Sequence, residues 1–91
     1  MEEKTVMIYE ILFTKQAEKD FGKIEVSPYK SKALRLLTTL EKDPYTPPYE
    51  KLIDLENTYS RRINVQHRLV YRIYEEEKKI VIIRMWTHYG D

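Results

Sequence analysis

Residues 6–13 (VMIYEILF) form a short, mostly apolar run of β-branched and aromatic side chains, the pattern of a strand. Thr14 stands where it can cap a following helix. Beyond it Ala17, Phe21 and Ile24 recur at helical spacing, which assigns Lys15, Glu18, Lys19 and Asp20 to the water-facing side. Ser27-Pro28 then restarts a helix. Ser serves as N-cap and Pro takes the first helical position, where its missing N–H costs nothing. Tyr29, Ala33, Leu36, Leu37 and Leu40 make the apolar stripe of this second helix, with Lys30, Lys32 and Glu41 outside it. Asp43-Pro44 ends it, because the residue before a proline avoids the α region.

The periodicity then changes. Pro44-Tyr45-Thr46-Pro47-Pro48-Tyr49-Glu50 reads as a loop stiffened by its prolines. Residues 60–65, 67–74 and 79–86 read as strands, with a polar turn at 75–78, a second turn at 64–66 and a further short strand at 52–55. One strand, two helices and then three or four strands is an α+β order. Grouped helices imply an antiparallel sheet of about four to five strands, covered on one face by the two N-terminal helices. No internal repeat or low-complexity segment interrupts it.

Length and composition narrow the field. Ninety-one residues suffice for one domain, spanning 1–91, with residues 1–6 as an N-terminal extension. The absence of Cys excludes a disulfide framework, a thiolate zinc site and a cysteine nucleophile. No apolar run approaches the ~18 residues of a membrane helix. The charged start Met1-Glu2-Glu3-Lys4 lacks the regions of a signal peptide, so a cytoplasmic location and no membrane partner are expected. A net charge of +1 argues at first against a nucleic-acid partner. The average hides a split: residues 1–57 hold 9 basic and 11 acidic side chains, residues 58–91 hold 7 and 4. Four arginines (61, 62, 68 and 72) and no acid lie between Asn57 and Tyr74. The guanidinium fork matches phosphate geometry, so this cluster outweighs the overall balance.

The candidate chemistry lies in that second half. It holds one carboxylate on the stiff loop (Glu50), arginines on strands, and the C-terminal pair His88 and Tyr89. Strand parity puts Arg62 with Ser60 and Asn64, and Arg68 with Val70 and Arg72. Arginines on adjacent strands then project from one face. Base, cations and acid are the set needed to cleave RNA through its own 2′-OH. The nucleophile lies in the substrate, so neither metal nor cofactor is called for, and no His/Asp cluster has ligand spacing. The same residues also fit RNA or protein binding without catalysis, or a solvated sheet face with no specific role. Tyr59, Tyr71 and Tyr74 can stack on bases, but tyrosines on short strands more often pack sheet faces.

The run from Tyr59 to Tyr71 (YSRRINVQHRLVY) resembles the signature of the YoeB/Txe toxins, members of the RelE-type group of bacterial toxin–antitoxin systems. Pro47-Pro48-Tyr49-Glu50-Lys51-Leu52 is similar to the family's proline-rich loop, and His88-Tyr89 to its closing pair. The resemblance implies a microbial-ribonuclease-like fold and cleavage of mRNA, typically in the ribosomal A site, with inhibition by a YefM-type antitoxin. It implies Glu50 as general base, His88 as general acid and Arg68 as the cation that stabilises the phosphorane. Arg62 matches the second active-site arginine and Tyr89 a substrate-placing tyrosine; Arg61 and Lys51 are further substrate-binding candidates. Members can carry a Lys three residues after the matched Glu, where this chain has Ile53. The chain also continues past Tyr89 with Gly90-Asp91. Expected partners are mRNA, the ribosome and the antitoxin, in a homodimer or a toxin–antitoxin hetero-oligomer. A non-catalytic toxin of the RelE/ParE fold, or an RNA- or ribosome-binding module, is the alternative.

Overall fold

The chain runs β1 (Glu10–Phe13), α1 (Lys15–Glu25), α2 (Lys30–Lys42), β2 (Glu50–Lys51), β3 (Thr58–Arg62), β4 (Arg68–Tyr74) and β5 (Lys79–Arg84). These elements come from a computed structural model that describes residues 8–86. The expected N-terminal extension, the candidates His88 and Tyr89, and the Gly90-Asp91 tail lie outside the described residues.

Thr14 caps α1 as its position implies. Its Oγ1 accepts the Ala17 N–H at 3.0 Å and donates to the Ile83 carbonyl at 3.1 Å, so one hydroxyl both starts the helix and ties it to β5. The second helix begins at Lys30 rather than at Pro28. Ser27 Oγ donates to the Ile24 carbonyl at 2.8 Å and accepts the Tyr29 N–H at 3.1 Å. Ser27 therefore closes the turn after α1 instead of capping α2. Asp43, before Pro44, is extended (φ −161°, ψ 93°) and stops α2 where the sequence implies.

The sheet order is β1-β5-β4-β3-β2. Four strands pair antiparallel, as expected, but β1 lies parallel to β5, so the sheet is mixed. The connection from β1 to β5, two helices followed by three strands, gives the long crossover that parallel pairing requires. The short strand falls at Glu50–Lys51 rather than 52–55. Leu52 follows it with its N–H bonded to the Thr58 carbonyl at 2.9 Å. On β4 and β5 the register slips: Tyr71 faces Ile82 and Val70 faces Arg84, leaving Ile83 unopposed in a bulge.

Ala17 and Ile24 of α1 and Ala33 and Leu40 of α2 pack on Leu69, Tyr71, Ile73, Ile80 and Ile82. This apolar burial is the main force holding helices to sheet. By alternation Ser60, Arg62, Arg68, Val70 and Arg72 point to the other face.

One α1 residue departs from its expected place. Asp20 is fully buried, not water-facing. It lies three residues after Ala17 and four before Ile24, inside the apolar stripe. Its carboxylate accepts from Arg84 Nε at 2.9 Å, the Met85 N–H at 3.0 Å and Gln16 Nε2 at 2.9 Å. Burial raises its pKa, but the bonds from Arg84, Met85, Gln16 and the Trp86 backbone outweigh that and hold it below the ordinary value.

Candidate active site

Glu50 opens β2 at the sheet edge, in register with Ser60 of β3. Directly opposed residues of an antiparallel pair project to the same side, so Glu50 shares the face of Ser60 and Arg62. Arg62 in turn stands opposite Arg68 of β4. The sheet thus brings together the base candidate and two arginines that are up to 18 residues apart in sequence.

Arg68 reaches diagonally across β3. Its Nε donates to Ser60 Oγ at 3.1 Å, and a terminal nitrogen donates to Glu50 Oε1 at 2.5 Å. The arginine side chain is 16% exposed and the glutamate side chain 68%. An ion pair with so open a carboxylate adds little to stability. Arg62 is exposed, and two like charges in register repel. Among the described residues Glu50 offsets only the charge of Arg68, so they leave this corner with an excess of positive charge.

A cleft of about 830 Å³ adjoins this corner. Tyr29, Lys32 and Leu36 of the α2 side, Pro48 and Tyr49 of the loop, and Glu50, Ser60, Arg62 and Arg68 of the sheet line it. Asn64 shapes its rim: its Oδ1 accepts the Gln66 N–H at 2.9 Å and the His67 N–H at 2.6 Å, forming the expected turn before β4.

Two substrate-binding candidates turn away from the Glu50 face, although Arg61 still forms part of the cleft wall. Arg61 alternates to the helix-facing side and is 3% exposed. Its guanidinium donates to Tyr71 Oη at 2.9 Å, the Pro48 carbonyl at 3.1 Å and the Pro44 carbonyl at 2.7 Å. It is therefore an anchor for the proline loop that carries Glu50. Lys51 pairs with Tyr59 and so points away from the Glu50 face. Ile53 is 94% exposed, outside the cleft lining.

The tyrosines explain the loop's rigidity. Tyr59 stacks on Tyr71, with ring centroids 6.0 Å apart, and takes Tyr45 and Tyr49 edge-on at 6.4 and 5.6 Å. The Arg61 guanidinium lies 5.5 Å from the Tyr49 ring centroid. The Tyr45 hydroxyl also donates to Glu75 at 2.8 Å, beside Tyr9 and Lys78, which bond the same carboxylate. Lys78 first, then Tyr45, hold the Glu75 pKa low against the small effect of burial. Tyr59 and Tyr71 thus pack the sheet. Sequence reasoning had no local signal for the His67–Trp86 stack, with ring centroids 3.9 Å apart. It sits immediately before the segment that carries His88. Among the described residues no group of three His, Cys, Asp or Glu side chains is placed to hold a metal ion. No helix among them is long and apolar enough to cross a membrane.

Comparison with known proteins agrees with this fold. Solved structures with the same fold include a YoeB/ParE toxin from Agrobacterium tumefaciens, with TM-score 0.79 and 24% identity over 88% of this chain and 99% of that one. The YoeB dimer from Staphylococcus aureus superposes with TM-score 0.76 and 31% identity over 89% of this chain and 98% of that one. The YoeB–YefM complex from the same organism has TM-score 0.73 at 31% identity, with the same shares covered. No curated protein sequence matches significantly. The profile of the YoeB-like toxin of bacterial type II toxin–antitoxin systems matches residues 13–89. With most of its length matched, this chain belongs to the YoeB-like toxins of type II toxin–antitoxin systems.

Proposed function

We propose that the chain is a metal-independent endoribonuclease that cleaves mRNA on the ribosome. The observation that carries this reading is the Glu50–Arg68 contact at 2.5 Å, with Arg62 in register beside it and a cleft alongside. Glu50 takes the proton from a ribose 2′-OH. That oxygen attacks the adjacent phosphorus, and Arg68 and Arg62 stabilise the negative charge of the phosphorane. His88 protonates the departing 5′-oxygen and Tyr89 helps place the substrate; both roles rest on the family resemblance. The products are a 2′,3′-cyclic phosphate, or the 3′-phosphate formed by its hydrolysis, and a 5′-OH end.

The exposed Glu50 suits a base that must meet a ribose from solvent. The excess positive charge at Arg62 and Arg68 suits a phosphate. A net charge of +1 suits an enzyme whose substrate is presented by the ribosome rather than gripped as free RNA. A YefM-type antitoxin is the proposed inhibitor: an acidic segment that orders on binding complements the acid-free arginine stretch. Primer extension on mRNA, with and without ribosomes, tests the reading. Cuts that require ribosomes are expected; DNA damage without mRNA cuts is the result expected of a non-catalytic ParE-like toxin.

A further inference from the structure

We propose that Ser60 is the positioning residue for Arg68. The inference rests on the ribonuclease reading above and goes beyond it, because it assigns a role to a residue with no place in the acid–base chemistry. Ser60 is completely buried and lies directly opposite Glu50 on one side and Val70 on the other. Its Oγ accepts from Arg68 Nε at 3.1 Å. This bond turns the arginine away from its register partner Arg62 and lays it across β3 onto Glu50.

The chemistry of the guanidinium gives the contact its value. It carries five N–H groups. Ser60 takes the one on Nε and Glu50 takes one on a terminal nitrogen, which leaves three for a phosphate. An arginine has several rotatable bonds, and repulsion from Arg62 favours swinging it out. A buried hydroxyl bonded at Nε fixes the fork near its root while the terminal nitrogens remain usable. Alanine at this position keeps the shape of the strand and removes only the acceptor.

Single-turnover cleavage of mRNA on programmed ribosomes tests this with four proteins: wild type, Ser60→Ala, Arg68→Ala and the double variant. Ser60→Ala is expected to lower the rate at saturating enzyme on the order of 10- to 100-fold, the scale of a misplaced catalytic group. In the Arg68→Ala background the same substitution is expected to change the rate by less than about twofold, because its effect passes through Arg68. Equal fold losses in both backgrounds, or no loss in the wild-type background, overturn the proposal. A second readout does not depend on activity. The Arg68 Nε–H proton is expected to exchange slowly with water in wild type and much faster in Ser60→Ala, with β3 and β4 amide protection unchanged. If the wild type does not cleave, the ribonuclease reading fails by itself. Identical Nε–H exchange in the two proteins overturns the role of Ser60.

Discussion

Arg61 donates to the Pro44 carbonyl at 2.7 Å from a position one residue before the exposed Arg62. Neighbours in sequence thus serve opposite faces of the sheet, one holding the loop and the other standing opposite Arg68. Arg61→Ala leaves two loop carbonyls and the Tyr71 hydroxyl without their donor. Urea unfolding is expected to show a loss of roughly 2–3 kcal/mol. Arg61→Lys is expected to recover only part of it, because an ammonium cannot reproduce the planar fork. Unchanged stability in both variants contradicts the anchor role.

Glu50 and Arg68, proposed for cleavage, share one face of the sheet, and Lys51 points to the other. Glu50→Ala and Arg68→Ala are expected to lower the single-turnover rate by about 10²–10⁴-fold, and His88→Ala by a similar factor. Lys51→Ala is expected to stay within roughly twofold of wild type, since it adds no charge to the Glu50 face. A large loss for Lys51 with none for Glu50 reverses the assignment.

Acid stability is expected to depend on Asp20. Its native pKa lies below the ordinary value of 3.8, so the folded state binds its proton less readily than the unfolded state. The stabilisation is complete above that ordinary value and is lost as pH falls through the depressed native one. Asp20→Asn keeps the shape but removes the charge and this titration. Urea midpoints measured from neutral pH downward are expected to fall more steeply for wild type than for the variant. Parallel curves rule out the linkage.

Thr14→Ala removes a helix cap and the bond to the Ile83 carbonyl together. The expected cost is roughly 1–2 kcal/mol, at the upper end for an N-cap because the hydroxyl serves two elements. Calorimetry is expected to show a lower Tm, and hydrogen exchange faster amides in the first turn of α1. A change below the noise in both measurements removes Thr14 from the α1–β5 connection.

Most of the fold was legible in periodicity. The cap at Thr14, the stop at Asp43-Pro44 and the last three strands all follow from local patterns. Parity also placed Arg62 and Arg68 on one face before any register was known. The misses have physical reasons. Alternation gives the side of a strand but not the direction of its neighbour, so the parallel pairing of β1 with β5 was hidden. Asp20 sat in the apolar stripe, but its acidic side chain concealed that position until Arg84 and Met85 supplied partners. Arg61 and Lys51 have the residue types of a phosphate site; only the register with Leu69 and Tyr59 shows which way they face. The tether at Ser60 was present only as shared parity with Arg62.

The parallel strand pair also bears on how the toxin is made. Glu10 of β1 faces Lys79 of β5, 69 residues later. A nascent chain therefore holds its first strand and both helices without the Ile80 and Ile82 floor they pack on until β5 has emerged from the exit tunnel. Contacts this distant close late. The helical half is therefore completed only after β5 leaves the ribosome, not helix by helix during synthesis.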